Sequence, residues 1–168
     1  TLSVTVNAPN ISAVYGSFAG RSIPYVVVIC HPTTPANPRP DYSLPTGRSV
    51  PHMQRGSDAP LWPDATTRYP VLIFSHGYRS SPLSNDHLYA MTVFASFGYV
   101  VAAPFHADAT FSDLKFEDLG DAFYLLTHLE NFLAMQALRP LALSATIDLV
   151  LARPPWRDRV DAAQIGGF

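Results

Sequence analysis

The sequence has 168 residues, a formal net charge of −2 and 48% apolar side chains. This length and composition indicate a folded domain with a sizeable core and exclude an intrinsically disordered chain. The near-neutral charge gives no basic surface of the kind that binds nucleic acid, so no nucleic-acid partner is expected. No apolar run approaches the length of a membrane-spanning helix, so no membrane span is predicted either.

The N-terminal part of the chain is predicted to form β-strands. The segment TLSVTV, residues 1–6, alternates in polarity, and IPYVVVI, residues 23–29, is a β-branched run typical of a sheet interior. Cys30 follows that run and is the only cysteine, which excludes a disulfide or a thiolate metal cluster within these residues. A single cysteine in this setting is expected to behave as a small buried apolar side chain.

The composition changes between His31 and Pro70, a stretch rich in proline with Gly, Ser, Asn and Asp between the prolines. Proline at this density argues against a helix or a central strand, so this Pro-rich segment is predicted to run over the surface. It is longer than an ordinary loop, and we expect it to cover either the sheet edge or the entrance of a pocket.

After the Pro-rich segment, apolar runs alternate with segments of helical periodicity. YPVLIFSHG, residues 69–77, is typical of a strand that ends in polar residues and glycine, and YVVAAP, residues 99–104, of a second buried strand. The segment between them has helical spacing, and Gly98 is placed to end the helix. The apolar residues on one face of this predicted helix are Leu88, Met91, Phe94 and Ala95.

A long helical region is predicted from about Glu117 to Leu138. Arg139–Pro140 is expected to interrupt it, because proline breaks helices, and a second helix is predicted to continue to about Ala152. The last predicted strand is Ala162–Phe168, whose small and apolar residues indicate a buried strand.

Strands and helices that alternate in this way indicate an α/β fold, with a doubly wound, mostly parallel sheet covered by helices on both faces. Ligands of such sheets bind beyond the carboxyl ends of the strands. Candidate functional residues are therefore expected at Ser75–Tyr78, at Pro104–Asp108 and beyond Phe168.

The sequence FSHGYRSS, residues 74–81, begins at the first of these strand ends. We expect His76 and Gly77 to let the chain turn sharply and to aim the backbone N–H of Tyr78 toward the strand ends. A backbone donor in that position suits an oxyanion hole, although an ordinary strand-to-helix turn would contain similar residues. Tyr78 and Arg79 directly follow the strand end and are predicted to lie at the mouth of a pocket.

The order of these motifs resembles the α/β-hydrolase superfamily. YPVLIFSHGYRSS followed by FASFGYVVAAPFHADA is similar to the dienelactone-hydrolase-like and platelet-activating-factor-acetylhydrolase-like esterases. The resemblance covers Tyr69 to Phe168, with weaker support from IPYVVVICHP. It implies that residues 1–168 form the N-terminal portion of one α/β-hydrolase domain. Separately, the sequence shows no phosphate loop, dinucleotide fingerprint or metal-site spacing, so no metal or other cofactor is expected.

The resemblance also implies where catalysis takes place. RVDAAQIGGF, residues 159–168, occupies the strand that leads into a G-x-S-x-G nucleophile elbow, so the nucleophilic serine, the acid and the histidine are expected on a segment after Phe168. The Tyr78 amide would be the oxyanion donor. The residues predicted to bind substrate are Gly77, Tyr78, Arg79 and His106, and those predicted to support the site structurally are His76 and Asp108.

The expected function is that of a serine carboxylester hydrolase acting on uncharged or weakly polar esters, from small esters to polyesters. Its expected partner is the C-terminal segment of the same domain. Two alternatives stay open. Because no G-x-S-x-G occurs within residues 1–168, the chain could be a catalytically silent binding module. A dienelactone-hydrolase-type enzyme with a cysteine nucleophile at the elbow is the other alternative.

Overall fold

The computed structural model describes residues 2–45, 47–54, 58–106 and 119–168, and for residues 119–128 it describes the backbone alone. In chain order the elements are β1 (Leu2–Asn7), α1 (Ser12–Tyr15), a 3-10 turn (Gly16–Phe18), β2 (Ser22–Cys30), β3 (Tyr42–Ser43), β4 (Ser49–Val50), β5 (Tyr69–Ile73), α2 (Asn85–Ser96), β6 (Val100–Pro104), α3 (Leu119–Ala152) and β7 (Val160–Gly167).

The main sheet is mixed, with the strand order β1–β2–β6–β5–β7. Strand β5 pairs in parallel with β6 and β7, whereas β2 pairs antiparallel with its neighbours β1 and β6. Among the described strands of this sheet, therefore, β2 alone runs against the direction of the others. A mixed sheet with helices is compatible with the predicted α/β fold.

The two long helices pack on opposite faces of the sheet. Val71 and Ala102 lie in a buried cluster with Val150 of α3. Val101, which is adjacent to Ala102, lies in a separate cluster with Met91 of α2. This division follows from the two-residue period of a strand, which sends neighbouring side chains to opposite faces.

Helix α2 agrees with its predicted pattern except at one position. Leu88, Met91 and Ala95 are buried as predicted, and Gly98 follows the helix with φ +92°. Phe94 was predicted on the same buried face but is 36% exposed. A helical turn spreads these four positions over a wide arc, and Phe94 lies at its margin.

Helix α3 runs without a break through Pro140, so the predicted interruption at Arg139–Pro140 is wrong. Proline removes one helical N–H and crowds the preceding turn. Leu138 and Ala142, on either side of Pro140, are fully buried against β1 and β2. The packing of both flanks on the same sheet accounts for the continuity of the helix.

One part of α3, Leu129–Ala152, is long and apolar enough by length and composition to cross a membrane, although no such segment was predicted. Helix α3 contacts β1, β5, β6 and β7. Core helices that pack on a sheet commonly meet the same test of length and composition, so this property alone does not assign α3 to a membrane.

Strand β5 begins at Tyr69, so the last two residues of the Pro-rich segment belong to the sheet and not to the surface excursion. Pro70 lies at an irregularity, since Tyr69 pairs with Val160 whereas Val71 pairs with Ile165. Proline is tolerated at such a position because it has no N–H to contribute to the strand pairing.

Strand β7 is an edge of the sheet within the described part of the chain. It spans Val160–Gly167, two residues earlier at its start than predicted. Residues 162–168 are exposed, contrary to the predicted buried strand, and Ile165 and Phe168 remain 37% and 43% exposed. Their exposure follows from the position of β7, which has a described neighbour on one side only.

The Pro-rich segment joins the end of β2 to the start of β5. Cys30 pairs with Val101 near the start of β6, so both junctions lie at the amino ends of the parallel strands. The segment also lies along α2, where the Arg48 guanidinium is 5.9 Å from the Tyr89 ring centre. The Pro-rich segment therefore covers the amino ends of the parallel strands. The site was predicted at their carboxyl ends, on the opposite side of the sheet.

Candidate functional site

The predicted site residues lie at the carboxyl ends of β5 and β6. Ser75–Arg79, here called the β5 loop, follows β5, and His106 follows β6. Because β5 and β6 are paired neighbours, the rings of His76 and His106 come within 4.7 Å, centre to centre. Asp108, which was predicted to support the site, lies outside the described residues.

His76 is 2% exposed and connects the two strand ends. The backbone N–H of His106 donates to His76 Nε2 at 3.1 Å. An accepting Nε2 carries no proton in the neutral ring, so Nδ1 carries it and donates to the Gly77 carbonyl at 2.8 Å. These two hydrogen bonds join the β5 loop to the end of β6, and the role of His76 as a structural support of a functional site stays a prediction.

Helix α3 supports the β5 loop through Arg139. Arg139 Nη1 donates to the backbone carbonyl of His76 at 2.8 Å. Arg139 was not among the predicted site residues, because the Arg139–Pro140 pair was interpreted as a helix breaker. No local signal could have identified the contact, since 63 residues separate the two partners.

A second hydrogen bond joins the two strand ends, between Ser75 Oγ and His106 Nε2 at 3.0 Å. The His106 ring is 1% exposed. Burial, together with the nearby positive charge of Arg139, lowers the pKa of His106 to about 3. His106 is therefore neutral at physiological pH.

A serine hydroxyl hydrogen-bonded to a histidine ring is also the arrangement of a catalytic nucleophile and its general base. The low pKa of His106 argues against that role, because an effective general base has a pKa near the working pH. Within the described residues, His106 Nδ1 is buried without a hydrogen-bond partner, where a catalytic histidine has an orienting group. We therefore interpret Ser75 and His106 as a brace between the strand ends.

The low pKa of His106 predicts a loss of stability in acid. Its folded-state value of about 3 lies below the ordinary 6.5, so between these values the unfolded chain binds a proton that the folded chain excludes. The contribution is fully present above about pH 6.5 and falls toward pH 3, by on the order of 1 kcal/mol per pH unit. Urea unfolding at a series of pH values measures this slope.

The variant for that measurement is His106→Gln, which cannot titrate. It should flatten the slope of stability against pH. Equal slopes in wild-type protein and His106→Gln would show that His106 does not titrate on unfolding.

The turn in the β5 loop differs from the prediction at Gly77. The residue with positive φ is Arg79, at +55°, and Gly77 is not in the left-handed region. A Cβ atom at Gly77 would meet no atom within 4 Å. The backbone therefore does not require glycine at position 77, and Ser80 N–H closes the turn by donating to the Gly77 carbonyl at 3.1 Å.

Tyr78 and Arg79 continue the loop. The Tyr78 ring meets the Phe132 ring of α3 edge to face, at 5.4 Å between centres. Gly77 and Arg79 are exposed and Tyr78 is half-buried, positions that suit the mouth of a site. The role of the Tyr78 amide as an oxyanion donor stays a prediction, as do the substrate contacts of Gly77, Tyr78, Arg79 and His106.

The end of β7 lies directly beside the β5 loop. Ser75 N–H donates to the Phe168 carbonyl at 3.0 Å, and Phe168 N–H donates to the Ile73 carbonyl at 3.1 Å. The Phe168 ring stacks on Phe74 with 4.8 Å between ring centres. The site is thus bounded by three neighbouring strand ends, those of β6, β5 and β7.

Residues 51–119 match the family model for platelet-activating factor acetylhydrolase, isoform II. Over residues 69–119, this match confirms the resemblance to the platelet-activating-factor-acetylhydrolase-like esterases that the sequence predicted. Residues 51–119 are therefore similar to the platelet-activating-factor-acetylhydrolase-like α/β-hydrolases. A search of curated proteins found no match. The family match supports a hydrolase of the esterase or lipase type.

The part of the chain covered by the family match includes β5, the β5 loop, α2 and β6. Two supporting residues lie outside it on α3, Arg139 and Phe132. In the described ranges, no group of three or more His, Cys, Asp or Glu side chains is placed to hold a metal ion.

Proposed function

We propose that this protein is a serine carboxylester hydrolase that acts on uncharged or weakly polar esters. The observation that carries the proposal is the β5 loop at the carboxyl end of its strand, hydrogen-bonded to the end of β7 through Ser75 and Phe168. The family match supports ester hydrolysis at the general level.

The nucleophilic serine, the acid and the histidine are proposed to lie on a segment that follows Phe168. An extended residue spans at most about 3.6 Å, so a serine three residues beyond Phe168 would lie within about 11 Å of it. Since Phe168 is hydrogen-bonded to Ser75, such a serine would be close to the β5 loop.

In this mechanism the serine hydroxyl attacks the ester carbonyl carbon while the histidine accepts its proton. The negative charge that develops on the carbonyl oxygen is stabilised by the Tyr78 amide and by the amide that follows the nucleophile. The ester C–O bond then breaks and the alcohol leaves with the proton from the histidine. Water hydrolyses the acyl-serine by the same steps and releases the acid.

Arg139 contributes to this mechanism through charge and position. Its guanidinium donates to the His76 carbonyl and so places a positive charge behind the β5 loop. A positive charge there favours the anionic transition state over the neutral ester. His76 is fixed as the neutral Nδ1–H form by its two hydrogen bonds.

The C-terminal segment is also proposed to add further strands beside β7. In the described part of the chain β7 is an edge strand with exposed apolar side chains, among them Ile165 and Phe168. Exposed apolar edges favour aggregation, and proteins commonly cover them. A segment that supplies the nucleophile immediately after β7 would be in position to cover this edge.

The test is covalent labelling of the protein together with the segment that follows Phe168. A fluorophosphonate probe should react with one serine, and peptide mapping should place the label after Phe168. The variant Ser75→Ala should be labelled to the same extent, because Ser75 is interpreted as part of the brace with His106.

The other outcomes each exclude the proposal in a different way. A label on Ser75 would make the Ser75–His106 pair catalytic. Inactivation by iodoacetamide without fluorophosphonate labelling would indicate a cysteine nucleophile. The absence of both labelling and ester turnover would favour the silent binding module.

A further inference from the structure

A large cavity lies at the opposite end of the sheet from the β5 loop. Its volume is about 1030 Å³, and Cys30, Tyr69 and Gly98 mark the sheet side of its wall. Cavities of about 300 to 1,000 Å³ are typical of small-molecule sites. The whole of β5 separates Tyr69 from the β5 loop, a distance of about 20 Å along the strand, so this cavity is distinct from the proposed ester site.

The walls of the cavity are mainly apolar. The sheet and the helices form one side, and the Pro-rich segment forms the other. Representative apolar side chains in the wall are Val27, Ile29 and Trp156 on the first side and Leu44, Val50 and Met53 on the second.

The polar side chains in the wall are largely engaged in hydrogen bonds with each other and with the backbone. Thr33 Oγ1 donates to the Leu61 carbonyl at 2.7 Å and accepts from Asn37 Nδ2 at 2.9 Å. Asp64 Oδ1 accepts the backbone N–H groups of Thr66 and Thr67, each at 2.7 Å. A ligand therefore meets few open polar groups in these parts of the wall.

The charged side chains in the wall favour an uncharged ligand over an anionic one. None of the described lining residues is Lys or Arg. Asp64 supplies a negative charge, because the two N–H groups that it accepts hold the pKa of its carboxyl below the usual range. Burial lowers the pKa of His31, which keeps that ring neutral. Among the described lining residues, an anionic ligand would therefore find no lysine or arginine to pair with.

An aromatic cluster stiffens one side of the cavity. Trp156 is 6% exposed and meets Trp62 edge to face at 5.7 Å, and Trp62 stacks on Tyr69 at 5.6 Å. His31 meets Trp156 at 5.5 Å. Ordered aromatic side chains offer a large apolar contact area that loses little conformational entropy on binding.

We propose that this cavity binds an uncharged, largely apolar small molecule, held between the Pro-rich segment and the amino ends of the parallel strands. The site needs no contact with the β5 loop, so it stands independently of the proposed ester hydrolysis.

The chain carries its own reporters for this site. Its two tryptophans, Trp62 and Trp156, form the aromatic cluster, and its only cysteine, Cys30, lines the cavity. Titration with N-phenylnaphthylamine, an uncharged apolar fluorophore, should give saturable probe emission excited through tryptophan. Decanol should displace the probe, whereas decanoate of the same chain length should not.

Cys30 gives a second readout that needs no variant. Dithiodipyridine should label Cys30 slowly in the empty protein, because burial raises the pKa of its thiol to about 12 and the thiolate is the reactive form. Decanol at ten times its Kd should slow that labelling about tenfold, because only the empty form reacts. Prior inactivation of the ester site with a fluorophosphonate should leave both readouts unchanged, which separates this proposal from the proposed function.

Two variants test whether the probe binds in the cavity. Leu44→Glu adds a carboxylate to the wall and should weaken probe binding at least tenfold. Leu133→Glu makes the same change at a leucine that is 53% exposed on α3, and it should leave probe binding unchanged. Non-saturable binding, displacement by decanoate as effective as by decanol, or equal effects of the two variants would overturn the proposal. If Leu44→Glu does not fold, unchanged Cys30 labelling in the wild-type protein would overturn it.

Discussion

His76→Ala is expected to destabilise the protein by about 3 kcal/mol and to lower esterase kcat/KM by about 10²-fold or more. The substitution removes the group that accepts the His106 N–H and donates to the Gly77 carbonyl. It leaves a buried backbone N–H unsatisfied, at a cost of about 1 to 3 kcal/mol. The β5 loop then loses the contact that sets the position of Tyr78. Urea unfolding and turnover of p-nitrophenyl butyrate measure the two effects.

His76→Gln is the conservative control, because a glutamine side chain has both a donor and an acceptor. It should recover part of the stability and part of the activity. Wild-type kcat/KM in His76→Ala would show that the β5 loop does not depend on His76. A large loss of stability with unchanged kcat/KM would show that His76 stabilises the fold without positioning the oxyanion donor.

Arg139→Met is expected to lower kcat at least tenfold with little change in KM. Methionine keeps most of the apolar packing of the arginine stem, but it cannot donate to the His76 carbonyl and carries no charge. The hydrogen bond contributes about 1.5 to 3 kcal/mol, as is usual for bonds to charged groups. Because the proposed effect is on the transition state, the change should be in kcat, and Arg139→Lys should restore part of it.

A spectroscopic measurement accompanies the kinetics. The positive charge of Arg139 is one of the causes that lower the pKa of His106. Removing that charge in Arg139→Met should raise the pKa of His106, as NMR titration of the ring would show. An unchanged His106 pKa together with an unchanged kcat would contradict the positioning role of Arg139.

Local periodicity was enough to predict the main elements. The β-branched run of β2, the apolar runs of β5 and β6, and the helical spacing of Leu88 and Met91 all correspond to observed elements. These signals are reliable because alternation and helical spacing arise within a few residues of chain.

The wrong predictions depend on contacts between distant parts of the chain. Pro140 has a strong local preference against helix, but the buried neighbours on both sides outweigh it. The composition of β7 resembles that of a central strand, and composition does not report how many neighbours a strand has. The contacts of Ser75 with His106 and of Arg139 with His76 join residues 31 and 63 positions apart, and no periodic pattern marks them.

The parallel pairing of β5 makes the folding rate of this protein depend on long loops. Ile73 pairs with Ala102 on one side and with Gly167 on the other. Contacts between distant residues form slowly, because the entropy of loop closure opposes them before any packing is gained. The hairpin-like pair of β1 and β2, which is local in sequence, can form early. During synthesis, β5 is made long before β7, so its β7-facing edge has to stay unpaired or be protected until β7 has been translated.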